Sequence, residues 1–276
     1  MIANDLVTTI SGYLETSNLK LLNKELYKNI SMYEKSQEWC NKYREYFRTK
    51  KTKIKPLQGD YNWKHELMRV KNFHYWHYFN KDNYKTLNLT MLDEIPKEIV
   101  NFQNLLKLNV SCSALCSGTY IPVELYNLIN LSELNLSNTK TIIPKDIQNL
   151  VNLKKLDISN NNMRKIPKEL FELINLNFLN ISHNKIKKIS ANLLNLSKLK
   201  YLYLYENEIF ELPDELNKLT NLHTLNISRN NISQLSIKLS KLKKLRILNI
   251  SYNKLENIPI EFNNLKLTYF DYSHNS

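Results

Sequence analysis

Apolar residues dominate the pattern of the chain, and in its second half they fall into columns. LKKLDISNNNMRKIPKELFELIN at 153–175 is followed by LNFLNISHNKIKKISANLLNLSK at 176–198 and LKYLYLYENEIFELPDELNKLTN at 199–221. LHTLNISRNNISQLSIKLSKLKK at 222–244 and LRILNISYNKLENIPIEFNNLK from 245 continue the series. A fixed period of this length is the mark of a solenoid, in which each unit buries its apolar face only against its neighbours. Each unit opens L-x-x-L-x-L, whose last three apolar positions alternate, so a short strand is predicted there. The Asn that follows (Asn161, Asn184, Asn207, Asn230 and Asn253) suits a chain turning away from a strand, because its side chain bonds nearby backbone groups. The Ile-Pro or Leu-Pro step keeps the preceding residue extended. The closing segment carries Leu at helical spacing. Stacked units are expected to align their strands in one parallel concave sheet, about 4.8 Å per repeat.

These columns resemble the leucine-rich-repeat family in its short 23-residue intracellular form. The resemblance implies an α/β solenoid of about nine repeats over 84–276. The early repeats are irregular. Leu92 and Thr139 stand where Asn is expected, and SCSALCSGTY interrupts the second repeat before Ile121-Pro122. In the regular part Pro167, Pro213 and Pro259 alternate with Ser190 and Ser236, as if a two-repeat block had been duplicated. No cap follows the ninth predicted strand, so Leu267, Phe270 and Tyr272 are expected near an open edge, where strands are prone to pair.

Residues 1–83 leave the repeat and read as a small helical domain covering the first unit. Asn4 or Asp5 can cap a helix carrying Leu6, Ile10 and Leu14, and Ser17 can cap a second with Leu19, Leu22, Leu26 and Ile30. Segments near 33–48 and 61–79 carry Trp39, Tyr43, Trp63 and Trp76, with Pro56 and Gly59 marking a linker between them. Within this domain, residues 5–30 resemble an F-box through Leu6, Ile10, Tyr13, Leu14, Leu19, Leu22, Asn23, Lys24 and Tyr27. Asp5-Leu6 replaces the Leu-Pro that usually opens the box. The resemblance implies docking onto the adaptor of a cullin ubiquitin ligase.

Composition removes several function classes. Three glycines, Gly12, Gly59 and Gly118, are too few and too scattered for a phosphate-cradling loop. Three cysteines, Cys40, Cys112 and Cys116, fit a reducing compartment better than a disulfide scaffold. Neither a signal peptide nor an apolar run of membrane-spanning length is seen, so the expected location is intracellular: the cytoplasm, or a host cytoplasm if the source is viral. The Asn, Lys and Ile bias fits an AT-rich genome. The net charge of +13 is spread over both parts: 15 basic and 9 acidic residues in 1–83, and 24 and 17 in 84–276. A solvated Lys-rich surface is the plain reading; a basic solenoid binding nucleic acid or an anionic membrane is the alternative.

The side chains between the strand leucines are expected on the concave face. One column runs Asn88, Asn109, Asn135, Asp157, Asn180, Tyr203, Asn226, Asn249 and Asp271. The next is mostly serine, from Ser111 through Ser137, Ser159 and Ser182 to Ser273, with Tyr205 as the exception. Tyr203 and Tyr205 break both columns, with Tyr201 just before them. Phe178 and Ile247 share the Tyr201 column, and His183, Glu206, Arg229 and Tyr252 form the adjoining one. Exposed aromatics make strong binding anchors, with large area, few rotors and a polar tip on Tyr. The expected partner is therefore a protein on this face, not a small-molecule substrate. No nucleophile–base set, metal site or cofactor motif emerges. Cys112 and Cys116 lack a second ligand pair, and His65, His74 and His77 read as packed or surface residues.

Overall fold

The computed structural model describes residues 85–89, 95, 97–111 and 121–276. The predicted helical domain, its F-box-like segment at 5–30, Leu92 and the cysteines all lie outside the described residues.

Nine three-residue strands follow one another in a single parallel sheet ordered β1 to β9. They are β1 (Thr86–Asn88), β2 (Lys107–Asn109), β3 (Glu133–Asn135), β4 (Lys155–Asp157), β5 (Phe178–Asn180), β6 (Tyr201–Tyr203), β7 (Thr224–Asn226), β8 (Ile247–Asn249) and β9 (Tyr269–Asp271). The register keeps equivalent positions opposite one another, as in Leu179 beside Leu202 and Leu202 beside Leu225. The middle leucine of each strand from β4 to β8 points inward and is buried to within 1%. A second apolar residue just past the strand (Ile158, Ile181, Leu204, Ile227, Ile250) is buried beside it. Each unit returns through one five-residue 3₁₀ turn, such as Lys168–Glu172 or Asp214–Lys218, whose own leucine seals the far side of the core.

These turns are the first point where the structure refines the pattern. Leucines three or four apart fit an α-helix or a 3₁₀ segment equally well, and the few residues available before the next strand select the tighter form. The alternation of Pro and Ser at its start also gains a cause. Pro122, Pro144, Pro167 and Pro213 hold the extended backbone that precedes the turn. Ser190 and Ser236 hold the same backbone and add a cap, accepting from the N–H groups of Asn192 at 3.2 Å and Lys238 at 3.4 Å.

The turn after each strand is held by the Asn column. Asn207 is representative. Its Nδ2 donates to the carbonyls of Leu204 and Ile181, each at 3.1 Å, and its Oδ1 accepts from the N–H of Ile186 at 3.0 Å. Ile181 and Ile186 belong to the preceding repeat, so one buried amide closes its own turn and ties two units together. Thr139 fills the same slot in the third repeat. Its hydroxyl is buried, lies 2.9 Å from the Leu136 carbonyl and reaches the Oδ1 of Asn161 at 3.2 Å. A second set of asparagines, which the leucine pattern hides, works on the opposite rim: Asn130, Asn152, Asn175 and Asn221 each donate to a carbonyl of the repeat before.

At β9, Leu267 and Phe270 pack half-buried against the core while Tyr272 is exposed. No helix among the described residues is long and apolar enough to cross a membrane.

Replacing Asn207 by Ala removes three buried hydrogen bonds and leaves backbone groups of two repeats unpaired. The expected loss is about 3 kcal/mol, read as a fall in the urea midpoint with little change in slope.

Candidate functional site

The first residue of most strands is open on the concave face, Thr224 of β7 being the buried exception. Along the sheet this column reads Thr86, Lys107, Glu133, Lys155, Phe178, Tyr201, Thr224, Ile247 and Tyr269. Its early part is ionic. The Glu133 carboxylate sits between Lys107 at 2.9 Å and Lys155 at 3.4 Å. The hydrogen bond from Lys107 holds the Glu133 carboxyl below its usual pKa; partial burial opposes it, and the Lys155 charge adds to the lowering.

Its middle part is aromatic. The Phe178 ring lies 6.4 Å from that of Tyr201 and 5.5 Å from that of Tyr203, both tilted, which suits the edge and face charges of aromatic rings. Tyr201 is 40% exposed, whereas Tyr203 is half-buried. Burial raises the Tyr203 phenol above its usual pKa, and the neighbouring phenols of Tyr201 and Tyr205 add to the rise. Ile247 shares the column but stands two strands from Tyr201, with the buried Thr224 between them. The structure therefore does not bring Ile247 into the aromatic cluster.

The serine column corrects the sequence-based expectation of a concave-facing ladder. Ser159, Ser182, Ser228 and Ser251 are buried. Each hydroxyl is within 2.6–2.7 Å of the Asp or Asn Oδ1 two residues earlier, and the same oxygen accepts from the Ser backbone N–H. The strand ends after three residues, so alternation cannot be carried on to the serine position. Tyr205, in that column, is half-buried instead of standing free, and its ring meets His183 edge-on at 4.9 Å.

His183, Glu206, Arg229 and Tyr252 occupy a separate place. Each has a positive φ, between 52° and 54°, one residue before the buried Asn of its repeat. Non-glycine residues rarely take this left-handed conformation. Here each backbone N–H still bonds the next repeat, as His183 does to the Tyr205 carbonyl at 2.9 Å. The side chains consequently stack along the rim where strands end. His183 Nδ1 lies 2.7 Å from Glu206 Oε2, and Arg229 Nε lies 3.7 Å from Glu206 Oε1. The Arg229 guanidinium covers the Tyr252 ring at 4.5 Å, and that ring stacks on His274 at 4.1 Å. The nine residues singled out from the sequence thus divide into a concave aromatic cluster of Phe178, Tyr201 and Tyr203, a rim ladder on which Tyr205 packs through His183, and Ile247 apart. Sequence reading missed the Lys107–Glu133–Lys155 triad, although opposite charges at the same repeat position were visible.

Among the described residues no group of His, Cys, Asp or Glu is placed to hold a metal ion. The buried Tyr126 hydroxyl has no hydrogen-bond partner among them, and burial and then the Asp146 carboxylate push its ionisation upward.

Residues 151–209 match the profile described as leucine rich repeat, and residues 183–268 match the leucine-rich repeat region. The fold is a leucine-rich-repeat solenoid. Solved leucine-rich-repeat structures resemble it. An internalin, InlF, from Listeria monocytogenes superposes with TM-score 0.62 at 25% identity, covering 69% of this chain and 54% of its own. The leucine-rich-repeat ectodomain of the Arabidopsis thaliana receptor kinase GASSHO1/SCHENGEN3, solved with CASPARIAN STRIP INTEGRITY FACTOR 2, gives TM-score 0.62 at 28% identity and covers 71% and 28%. The plant peptide hormone receptor RGFR1, solved with RGF2, gives TM-score 0.57 at 30% identity and covers 69% and 36%. The chain thus spans about half of the internalin and under a third of the GASSHO1/SCHENGEN3 ectodomain. No curated protein matches it. Leucine-rich-repeat solenoids are typically binding scaffolds and not catalysts.

Glu133→Gln gives a signed pH prediction. A depressed folded pKa stabilises above the unfolded carboxyl value, about 4.3, and the gain is lost as pH falls through the folded value. Thermal melts should show Glu133→Gln slightly less stable at pH 7, by under about 1 kcal/mol for so exposed a pair. The two curves should converge as the pH falls below the lowered folded pKa of Glu133.

Proposed function

We propose that this chain is a non-catalytic, intracellular protein-recognition scaffold that holds its target on the concave face, centred on Phe178, Tyr201 and Tyr203. The observation that carries the reading is the aromatic cluster itself. Elsewhere the Asn and Asp column supplies short side chains that bond the serine turns, whereas β6 replaces that bonding with two rings on one strand. Internal packing accounts for Tyr203, which is half-buried; the exposure of Tyr201 beside Phe178 is what a partner would cover. The rim ladder of His183, Glu206, Arg229 and Tyr252 supplies a polar border with its side chains already held in place, which lowers the ordering cost of binding. The plant peptide hormone receptor RGFR1, solved with RGF2, supports the use of such a scaffold for polypeptides.

The test is affinity capture with the full chain, comparing wild type with Tyr201→Ala combined with Tyr203→Ala. A buried aromatic anchor is worth about 2 kcal/mol or more, so retention of the principal partner should fall about thirtyfold. Unchanged retention by a variant of unchanged melting temperature rejects the concave site.

The finer reading joins this face to the F-box-like segment. Residues 5–30 would dock the adaptor of a cullin ubiquitin ligase, making the repeats a substrate receptor. It rests on the sequence resemblance carried by Leu6, Ile10, Tyr13, Leu14, Leu19 and Leu22. In the full chain, Leu14→Asp with Leu22→Asp should abolish adaptor binding and leave capture by the concave face intact. A wild-type chain that does not bind the purified adaptor defeats this reading without touching the first.

A further inference from the structure

The rim where strands begin changes character along the solenoid, and the change points to a second surface. In repeats three to five the turn into the strand exposes Ile129, Val151 and Ile174, each about half accessible. In the next three repeats the same position holds Ser197, Thr220 and Lys243. Basic residues gather there: Lys198, Lys200, Lys243, Lys244, Arg246 and Lys266. The turns into the strands, 195–200, 217–223, 240–246 and 263–268, contain no carboxylate. No ion pair among the described residues involves any of the six. The neighbouring carboxylates are engaged or placed elsewhere: Glu206 lies on the opposite rim, Asp271 accepts from the Ser273 hydroxyl, Asp214 is bound by Lys238, and Glu261 sits at the start of the 3₁₀ turn Ile260–Asn264. The opposite rim differs, because there Glu206 and Glu208 sit among the cations and pair with Arg229 and Lys187.

Two features order this basic edge. Lys198 Nζ donates to Asn175 Oδ1 at 2.6 Å and Lys244 Nζ to Asn221 Oδ1 at 2.7 Å, so both ammonium groups are held along the rim by the second asparagine column. Arg246 is held by the carbonyls of Lys243 at 3.0 Å and Leu245 at 2.8 Å. From the sixth repeat to the ninth the edge runs three strand spacings, about 14 Å, which matches four residues of extended polypeptide.

We propose that this edge docks an acidic, extended segment of polypeptide. Its chemistry favours that occupant over the other anions. Single-stranded nucleic acid is held by aromatic rings placed among the basic groups. The turns carry Ser197, Thr220 and Asn221 between their basic residues, and their one ring, that of His223, is tied to the Asn221 carbonyl at 2.7 Å, while Tyr201 and Tyr269 begin the strands on the concave face. A membrane surface would be gripped by apolar side chains next to the charge, and the apolar turn residues stop at Ile174. The surface is distinct from the concave aromatic cluster, so the two readings stand or fall separately.

The experiment measures fluorescence anisotropy of a labelled eight-residue Glu/Ser peptide with the full chain at physiological salt. Comparison probes are an oligothymidine of equal charge and vesicles containing anionic lipid. The expected result is peptide binding that falls about tenfold or more in K243E/K244E/R246E. It should fall less than about twofold in the control K185E/K187E/K254E on the opposite rim, or in Y203A. K243Q/K244Q provides a milder variant whose melting temperature can be matched to wild type, and its affinity should lie between the two. Equal loss in the control, no loss in the Glu variant, or tighter binding of the oligonucleotide or the vesicles through the same three residues overturns the proposal.

Discussion

The architecture depends on how a chain can leave a three-residue strand without stranding its backbone polar groups. Asn161, Asn184, Asn207, Asn230 and Asn253 solve this with a primary amide, which offers two donors and an acceptor at one buried point. An unpaired buried N–H or carbonyl costs about 1–3 kcal/mol, and each repeat would leave several. With the turn satisfied, leucines at three fixed places suffice for the core, and the side chains between them are released from folding duty. Thr139 marks the boundary of the solution. One hydroxyl closes its own turn but cannot also donate twice, and it stands in one of the irregular early repeats.

That division of labour places recognition on the faces that the amide leaves free. Three surfaces emerge, each from a different position of the same repeat. The concave column carries an ionic triad and then an aromatic cluster. The left-handed residue before each Asn builds the rim ladder from His183 to His274. The turn into the strand carries apolar and then basic side chains. A repeat protein can vary these independently because none of them shares an atom with the core.

Much of the fold was legible because its signals are covalent spacings. Leucine period, turn asparagine and Pro or Ser punctuation survive in the sequence whatever the surroundings. Other features fell where one pattern serves two structures. Leu170 and Leu173 are spaced for either kind of helix, and only the length of the return path decides. Ser182 was misjudged because alternation was carried past the end of a strand that stops at Asn180. The left-handed column gave no warning, since Glu206 and Arg229 stand where glycine would have announced it. Within the candidate site, Tyr201 beside Phe178 was readable from the repeat register. The partition of His183 and Glu206 onto a separate rim was not, because it depends on a backbone angle.

The asparagine bonds also give the solenoid a direction. The Oδ1 of Asn207 serves the N–H of Ile186 in the unit before it, while Nδ2 serves both units. Stripping away the earlier unit leaves Asn207 still bonded to Leu204 and Tyr205 of its own turn. Stripping away the later unit leaves Ile186 with a backbone donor and no acceptor. Unzipping from the two ends therefore severs different bonds: a step from the late end takes the side-chain acceptor from Ile186, whereas a step from the early end takes the backbone carbonyls that accept from Lys200 and Glu208. A structure assembled from near-identical units thus has two chemically different ends, one losing side-chain acceptors as well as backbone carbonyls and the other backbone carbonyls, a distinction that its sequence period alone does not contain.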